Sequence, residues 1–574
     1  MSETMTQADN FWLSMDTPVN LMVITGFWEF KEPLDYNRLY ATVEARLASF
    51  PRFRQKVVRP LTGLGLPKWV DDKHYDLASH LHRVALPAPG DKNALSALVS
   101  DLMTTALDRN KPLWDIHLIE NYGEGCALFF RLHHCIADGI ALMHVLHSTA
   151  DMEADAPWPK AVEPGVRQRR RLPEISFNSM ISTTRKQVQK GQEISKKVIR
   201  EMEKAARNPK SVSCMLKTIA GIPSDIAGVL SRHTAMSTDP NTAFKGKLKV
   251  AKQVTWTDPI PLDRVKKLGK AISSATLNDV LIATVTGSMR RYLKTKNTPI
   301  NELDLKVAVP VNIRKPGTEF ELGNKFSLVF LKLPVYLEDP ILRLKEVQRR
   351  MNKLKTSADP WVNFGLLSAI GVFPSAVAKQ AAQFFGNKAS AVMTNVPGPR
   401  KPLYFAGKEI SNIMFWVPRS GVVGLGISIF SYNDTVTIGI ASDKGLMPDP
   451  DTFLEGFEDE FNYLIDIVQS GKINEGPLVL HDGFEAKKKA SSKEDSEKSA
   501  SGKGAGEKTK LEKGNGKGAA ESSKSYKCEA YTKAGKPCRN NAVDGTPYCR
   551  AHMHYQEEDS LLRDVRQIMR DLSD

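Results

Sequence analysis

The stretch His133-His134-Cys135-Ile136-Ala137-Asp138-Gly139 closes a strand-like run, Cys126 to Leu132, and opens an apolar helical run, Ile140 to His147. A strand turning directly into a helix is the unit from which α/β folds are built. Two adjacent histidines at that corner, followed by Asp-Gly, offer a buried base, an orienting carboxylate and room for close substrate approach. A histidine within reach of a hydroxyl can take its proton as the oxygen attacks a carbonyl, and its ordinary pKa of about 6.5 suits that work at neutral pH. Asp138 is expected to pair with an arginine and pin the corner, and Gly139 to adopt a backbone geometry closed to other residues. A bare His-His pair is more often a satisfied core or surface feature. The Asp-Gly at this offset, after an apolar strand, favours chemistry.

The flanking sequence has the same α/β texture. Leu21–Phe30, Trp114–Glu120 and Cys126–Leu132 read as strands, the last two joined by a turn at Tyr122-Gly123-Glu124-Gly125. Asp35–Phe50 and Lys92–Leu107 have helical spacing, the first stopped by Pro51. A second α/β region follows, with strands predicted over Val250–Thr257, Leu305–Val311, Phe326–Val335, Ser390–Asn395, Gly421–Ser431 and Val436–Ala441, and helices over Asn278–Leu293 and Asp451–Ile467. The two halves suit packed subdomains, 1–155 and 246–475, with a site in the crevice between them.

At 574 residues the chain is too long for a single core. Its net charge of +15 points to anionic surroundings, whether phospholipid, nucleic acid or a phosphate-bearing substrate. Much of the excess lies in a basic, largely helical connector over 156–245. It reads either as a solvated link or as an arm held on anionic lipid. No export signal and no stretch of roughly 18 apolar residues is apparent, which suggests a cytoplasmic or peripherally membrane-bound protein. The nearest approach to a span, Phe364–Ala378, is broken by Pro374. It reads as a core helix, a segment dipping into a membrane surface, or the wall of an apolar substrate pocket, with Gly365, Ala369 and Gly371 leaving space. Residues 481–526 are Lys, Ser, Gly and Glu with almost no apolar side chain, so they should form a disordered tether.

Several short motifs, taken in order, narrow the chemistry. HHxxxDG at 133–139 resembles the active-site motif of CoA-dependent acyltransferases of the chloramphenicol acetyltransferase-like superfamily. Pro112-Leu113-Trp114, Asn278-Asp279, Val309-Pro310-Val311-Asn312-Ile313-Arg314, Gly323-Asn324 and Asn395-Val396-Pro397-Gly398-Pro399 follow the order shown by bacterial wax ester synthase/diacylglycerol acyltransferases. The opening, Phe11–Asp16 then Asn20-Leu21-Met22, is similar too. The resemblance runs from about Met5 to Gly471 and implies two acetyltransferase-like subdomains with the site between them. It implies acyl transfer from acyl-CoA to a fatty alcohol or diacylglycerol, without an acyl-enzyme and without a catalytic cofactor. By that resemblance His134 is the base, His133 shapes the site, and Asp138 is a brace with Arg314 as its suspected partner. Gly139, Trp114 and Asn278 fall at substrate-binding positions. Asn278 is either a donor to the developing oxyanion or a helix N-cap, and Trp114 is either a site residue or core.

The last segment, 527–574, stands apart from that family. Cys528, Cys538, Cys549 and His552 supply four zinc-type ligands in a short polar stretch, with His554 as a competing fourth. Such a module is poor in core residues and needs a staple, so a structural zinc is expected. The helix after it is amphipathic and suits self-association. Competing functions are a related acyltransferase or condensation enzyme with another acceptor, and a non-catalytic lipid-droplet or membrane-binding protein. Nucleic-acid binding rests on charge and the cysteine module alone and is not favoured.

Overall fold

The computed structural model describes residues 2–60, 65–159, 236–314, 321–355, 359–370 and 386–471, with 193, 196 and 357 singly. All of these lie within one compact unit, Met1–Asn474. The connector, the tether and the cysteine module fall outside the described residues, apart from the connector's edges and residues 193 and 196.

In chain order the elements are β1 (Ser2–Thr4), α1 (Gln7–Met15), β2 (Val23–Phe30), α2 (Tyr36–Thr42), β3 (Gln55–Val58), β4 (Lys68–Asp71), β5 (Leu81–Ala85), α3 (Lys92–Leu102), β6 (Trp114–Tyr122), β7 (Gly125–His133) and α4 (Gly139–Thr149). The second half brings β8 (Lys252–Trp256), β9 (Ile260–Pro261), α5 (Leu262–Ala271), α6 (Leu277–Thr295), β10 (Asp304–Asn312), β11 (Phe326–Pro334), α7 (Pro340–Lys355) and α8 (Asp359–Ile370). It ends with β12 (Ala391–Pro397), β13 (Tyr404–Phe405), β14 (Lys408–Glu409), β15 (Asn412–Trp416), β16 (Leu425–Tyr432), β17 (Thr435–Asp443) and α9 (Pro450–Gln469).

Two larger sheets organise these elements. One has the order β15-β2-β7-β6-β5; the other runs β11-β10-β12-β16-β17-β8, with β9 paired to β17. Every residue of β7 is buried, as expected of a strand covered on both faces. Asn433 and Asp434 both take positive φ, 46° and 54°, which gives the β16–β17 hairpin the twist that two-residue loops favour.

Chain halves and sheets do not coincide. β15 comes from the second half, yet it pairs antiparallel with β2 and forms the edge of the first sheet. Gly26 of β2 permits that docking, because a Cβ there would come within 2.8 Å of the Met414 carbonyl oxygen. The first core also takes Leu403, Phe405, Ile410 and Tyr432 from the second half. A boundary near residue 246 therefore separates sequence but not packing.

On the second sheet, α6 lies at the centre of the helical layer and packs on α5, α7 and α9. It starts at a capping box in which Thr276 and Asp279 satisfy each other's backbone N–H groups. Asn278 is thus not the cap of its helix. A third apolar cluster ties the sheets together, with Phe27, Phe129, Trp256 and Trp416 beside Leu95 and Val99 of α3.

Candidate active site

The site is assembled from the β7–α4 corner, helix α1, and the connection between β10 and β11. β7 ends at His133, whose backbone N–H donates to the Leu113 carbonyl at 2.9 Å. The next N–H, that of His134, donates to the Met22 carbonyl at 2.7 Å. The chain then turns into α4, whose N-cap is Asp138; its Oδ1 accepts from the Ala141 N–H at 3.1 Å.

The β10–β11 connection crosses this corner with three successive backbone donors. Gly323 N–H reaches the Ile136 carbonyl at 3.2 Å, Asn324 N–H the Asp9 Oδ1 at 2.9 Å, and Lys325 N–H the Asp138 Oδ2 at 2.9 Å. Gly323 sits at φ +99°, a conformation for which glycine is suited. The special backbone expected at Gly139 is found here instead. Gly139 has no positive φ and occupies the first turn of α4. An added Cβ at Gly139 would meet nothing within 4 Å.

Asp138 and Arg314 are paired through Oδ2 and Nη1, with both side chains buried. Arg314 Nη2 also donates to the Gly323 carbonyl at 2.6 Å. Both Asp138 oxygens are consumed by the helix cap, Arg314 and Lys325, so this carboxylate braces the corner. Removing one partner of such a buried pair strands the other charge, which typically costs about 3–5 kcal/mol.

His134 is 6% exposed and belongs to a cluster of three mutually contacting rings. Trp12 of α1 stacks on it with centroids 4.4 Å apart and planes at 15°, and Phe326 lies 5.4 Å away. Its Nδ1 is 2.8 Å from the Asn324 Oδ1. Asn324 Nδ2 donates to the Asp9 Oδ1 and to the His134 carbonyl, each at 2.8 Å. Burial pushes the His134 imidazole down to about 4, with Asp138 and Asn324 opposing, so it is neutral at physiological pH. Asp9 is itself buried and accepts from Thr6 Oγ1 at 2.7 Å; burial raises its carboxyl above the ordinary value.

His133 faces a different environment. Cys135 N–H donates to its Nδ1 at 3.1 Å, and its Nε2 lies 3.7 Å from Asp16 Oδ2. Burial alone would raise Asp16, but His133, the Met22 N–H and Arg109 outweigh it and hold the carboxyl below its usual range. With one nitrogen tied to the backbone and the other facing a carboxylate, His133 shapes the turn.

Of the two readings of Trp114, site residue or core, its packing supports core. It is fully buried, its indole N–H donates to the Phe53 carbonyl at 2.9 Å, and it stacks on His80. Asn278 is half-buried on α6, and its Oδ1 accepts from Asn395 Nδ2 at 2.5 Å. Its amide is oriented through that bond, and no hydrogen bond among the described residues ties it to His134. Asp9 was invisible as a site residue in the sequence, and Trp12 and Asn324 stood there only as parts of short motifs. An open groove of about 610 Å³ among the described residues lies between α3, β8 and α9 and is lined by Lys92, Ser100, Lys252 and Glu455 rather than by the HHxxxDG corner. Among the described residues no group of His, Cys, Asp and Glu could hold a metal ion; the four proposed zinc ligands lie outside them.

Two sheets meeting at an HHxxxDG corner define the acetyltransferase-like class of fold. The solved wax ester synthase/diacylglycerol acyltransferase from Marinobacter aquaeolei matches it with a TM-score of 0.57 at 20% identity, covering 81% of this chain and all of that one. The first condensation domain of the calcium-dependent antibiotic synthetase matches with a TM-score of 0.52 at 16% identity, covering 82% and 96%. The family model for the wax ester synthase/diacylglycerol acyltransferase catalytic domain matches residues 5–281, and that for the family's C-terminal domain matches residues 322–464. A probable diacylglycerol O-acyltransferase of Mycobacterium tuberculosis is 28% identical, covering 76% of this chain and 90% of that protein. The O-acyltransferase WSD of Acinetobacter baylyi is 27% identical over 68% and 82%. The chain belongs to the wax ester synthase/diacylglycerol acyltransferase family and is an acyltransferase.

Proposed function

We propose that this enzyme moves a long-chain fatty acyl group from acyl-CoA to the hydroxyl of a fatty alcohol or diacylglycerol, with His134 as general base. As the acceptor oxygen attacks the thioester carbonyl carbon, its proton passes to the free nitrogen of His134. The tetrahedral intermediate then collapses, the C–S bond breaks, and the imidazolium returns the proton to the leaving CoA sulfur. The single observation that supports this best is His134 itself: neutral, stacked on Trp12 with Phe326 in contact with both rings, and held at Nδ1 by Asn324. General base catalysis of this kind typically contributes 10²–10⁴-fold.

Asn278 is the candidate donor to the developing oxyanion, its oxygen being occupied by Asn395. Gly139 borders the acceptor's approach. Helix α8, which carries Gly365, packs on α1 and β11, the elements that bear Trp12 and Phe326. That placement supports α8 as a wall of the acyl chain's pocket. The net charge supports peripheral association with anionic membrane or lipid droplets, and no described helix is long and apolar enough to cross a membrane. Structural zinc on Cys528, Cys538, Cys549 and His552 remains our proposal for the tail, with self-association as its partner role. Elemental analysis of the full chain should find about one zinc per protein, lost when Cys538 and Cys549 are replaced by serine; a metal-free native protein excludes it.

The function is tested by supplying purified protein with palmitoyl-CoA and either hexadecanol or diacylglycerol, then following CoA release. Turnover is expected with at least one acceptor. His134→Ala should lower kcat by about 10²–10⁴-fold with unchanged circular dichroism. Near-normal turnover by that variant removes His134 from the role of base.

A further inference from the structure

We infer that Asp9 and Asn324 are positioning residues that lock His134 in its Nδ1–H tautomer, leaving the lone pair on Nε2. The inference rests on the reading of His134 as base and names what keeps it competent.

The Asn324 amide nitrogen carries two hydrogens. One reaches the Asp9 carboxylate and the other the His134 carbonyl oxygen, each at 2.8 Å. Turning the amide over would set its oxygen against two oxygen acceptors in a buried site. The Asn324 Oδ1 must therefore be the atom that faces His134 Nδ1 at 2.8 Å. An amide oxygen only accepts, so the hydrogen lies on Nδ1 and Nε2 is the basic nitrogen. The opposite tautomer would bring two lone pairs together where water cannot relieve them.

Asp9 fixes Asn324 twice, through the same Oδ1, by side chain and by backbone. Thr6 holds the other Asp9 oxygen and also accepts the Asp9 backbone N–H at 3.1 Å, so the first turn of α1 is the anchor of the clamp. Burial raises the Asp9 carboxyl above its usual range. What the clamp takes from position 9 is acceptor oxygen: Oδ1 receives both Asn324 N–H groups and Oδ2 the Thr6 hydroxyl. It also joins segments that are 315 residues apart in sequence, so the base is set only when the two halves are docked.

Ring-¹⁵N-histidine NMR of the full-length protein at neutral pH tests this without any variant in the clamp. The His134 signal, identified by its disappearance in His134→Gln, should be that of the Nδ1–H form. Asn324→Ala should shift it toward the Nε2–H form that free imidazoles prefer. The same variant should lower kcat about 100-fold and leave KM for both substrates within about threefold. Asp9→Asn, which keeps an acceptor, should retain most of the activity that Asp9→Ala loses. A wild-type His134 in the Nε2–H form, or an Asn324→Ala enzyme with normal kcat, overturns the clamp. If His134→Ala keeps its activity, the base assignment fails instead, while the tautomer measurement still decides the clamp.

Discussion

Gly139 shows how a motif residue can be read correctly for location and wrongly for cause. Its backbone is ordinary, and the side of the chain where a Cβ would stand has no neighbour within 4 Å. Gly139→Ala should therefore stabilise the protein by about 0.4–1 kcal/mol, by restricting the unfolded chain. Gly139→Leu should still fold, yet lose kcat/KM by about tenfold or more if the acceptor uses that space. Denaturant titration and steady-state turnover separate the two effects; a Leu variant with native kinetics means the open side faces away from substrate. Asp138 was legible as a brace because a carboxylate before a helix has only a few tasks, and Arg314 was its guessed partner. Asp9 was not legible. Nothing local marks an aspartate in the first turn of a short helix as different from any other, and its partner lies 315 residues away.

At the level of elements, the sequence disclosed those whose burial follows their own periodicity. β6, β7, β16 and β17 carry apolar runs of strand length between turn residues, and they fold where expected to within a few positions. α9, with Pro450 in its first turn, also declared itself. Helix α1 did not. It buries Asp9, Asn10 and Ser14 along with Phe11, Trp12, Leu13 and Met15, so no polar face alternates with an apolar one. β15 was missed for another reason. Five residues, Asn412–Trp416, give too short a signal, and the strand exists because β2 of the other half supplies its hydrogen bonds. α5 and α7 were passed over because charged residues make each stretch polar on average, although Leu262, Val265 and Leu268 in α5 and Ile341, Leu344, Val347 and Met351 in α7 keep helical spacing on the buried face. α1 and the Gly323–Lys325 crossing, which the sequence showed only as short motifs, are held by long-range contacts that local pattern does not encode.

For the molecule as a whole, buried histidines set the response to acid. Burial is the main cause that lowers His80, His117, His134 and His147, the last three to about 4. Between their unfolded value near 6.5 and their folded value near 4, the unfolded chain binds more protons than the native one, so stability falls as pH drops through that window. Above about 6.5 these groups are neutral in both states and contribute no slope. Asp9 and Glu29, raised by burial, act in the opposite sense within the carboxylate range. Thermal unfolding should give a level midpoint from about pH 7 to 8 and a progressive decline below about 6.5; a midpoint unchanged down to pH 4.5 contradicts it. The exchange of β15 between halves reaches further, into how the protein is made. Until residues 412–416 leave the ribosome, β2 has β7 on one side and an open edge on the other. That edge is Val23–Phe30, an apolar strand of the kind on which a neighbouring chain can template itself. Nascent chains stalled or clipped before residue 412 carry that edge permanently, so the protection of the first sheet is delivered late in synthesis.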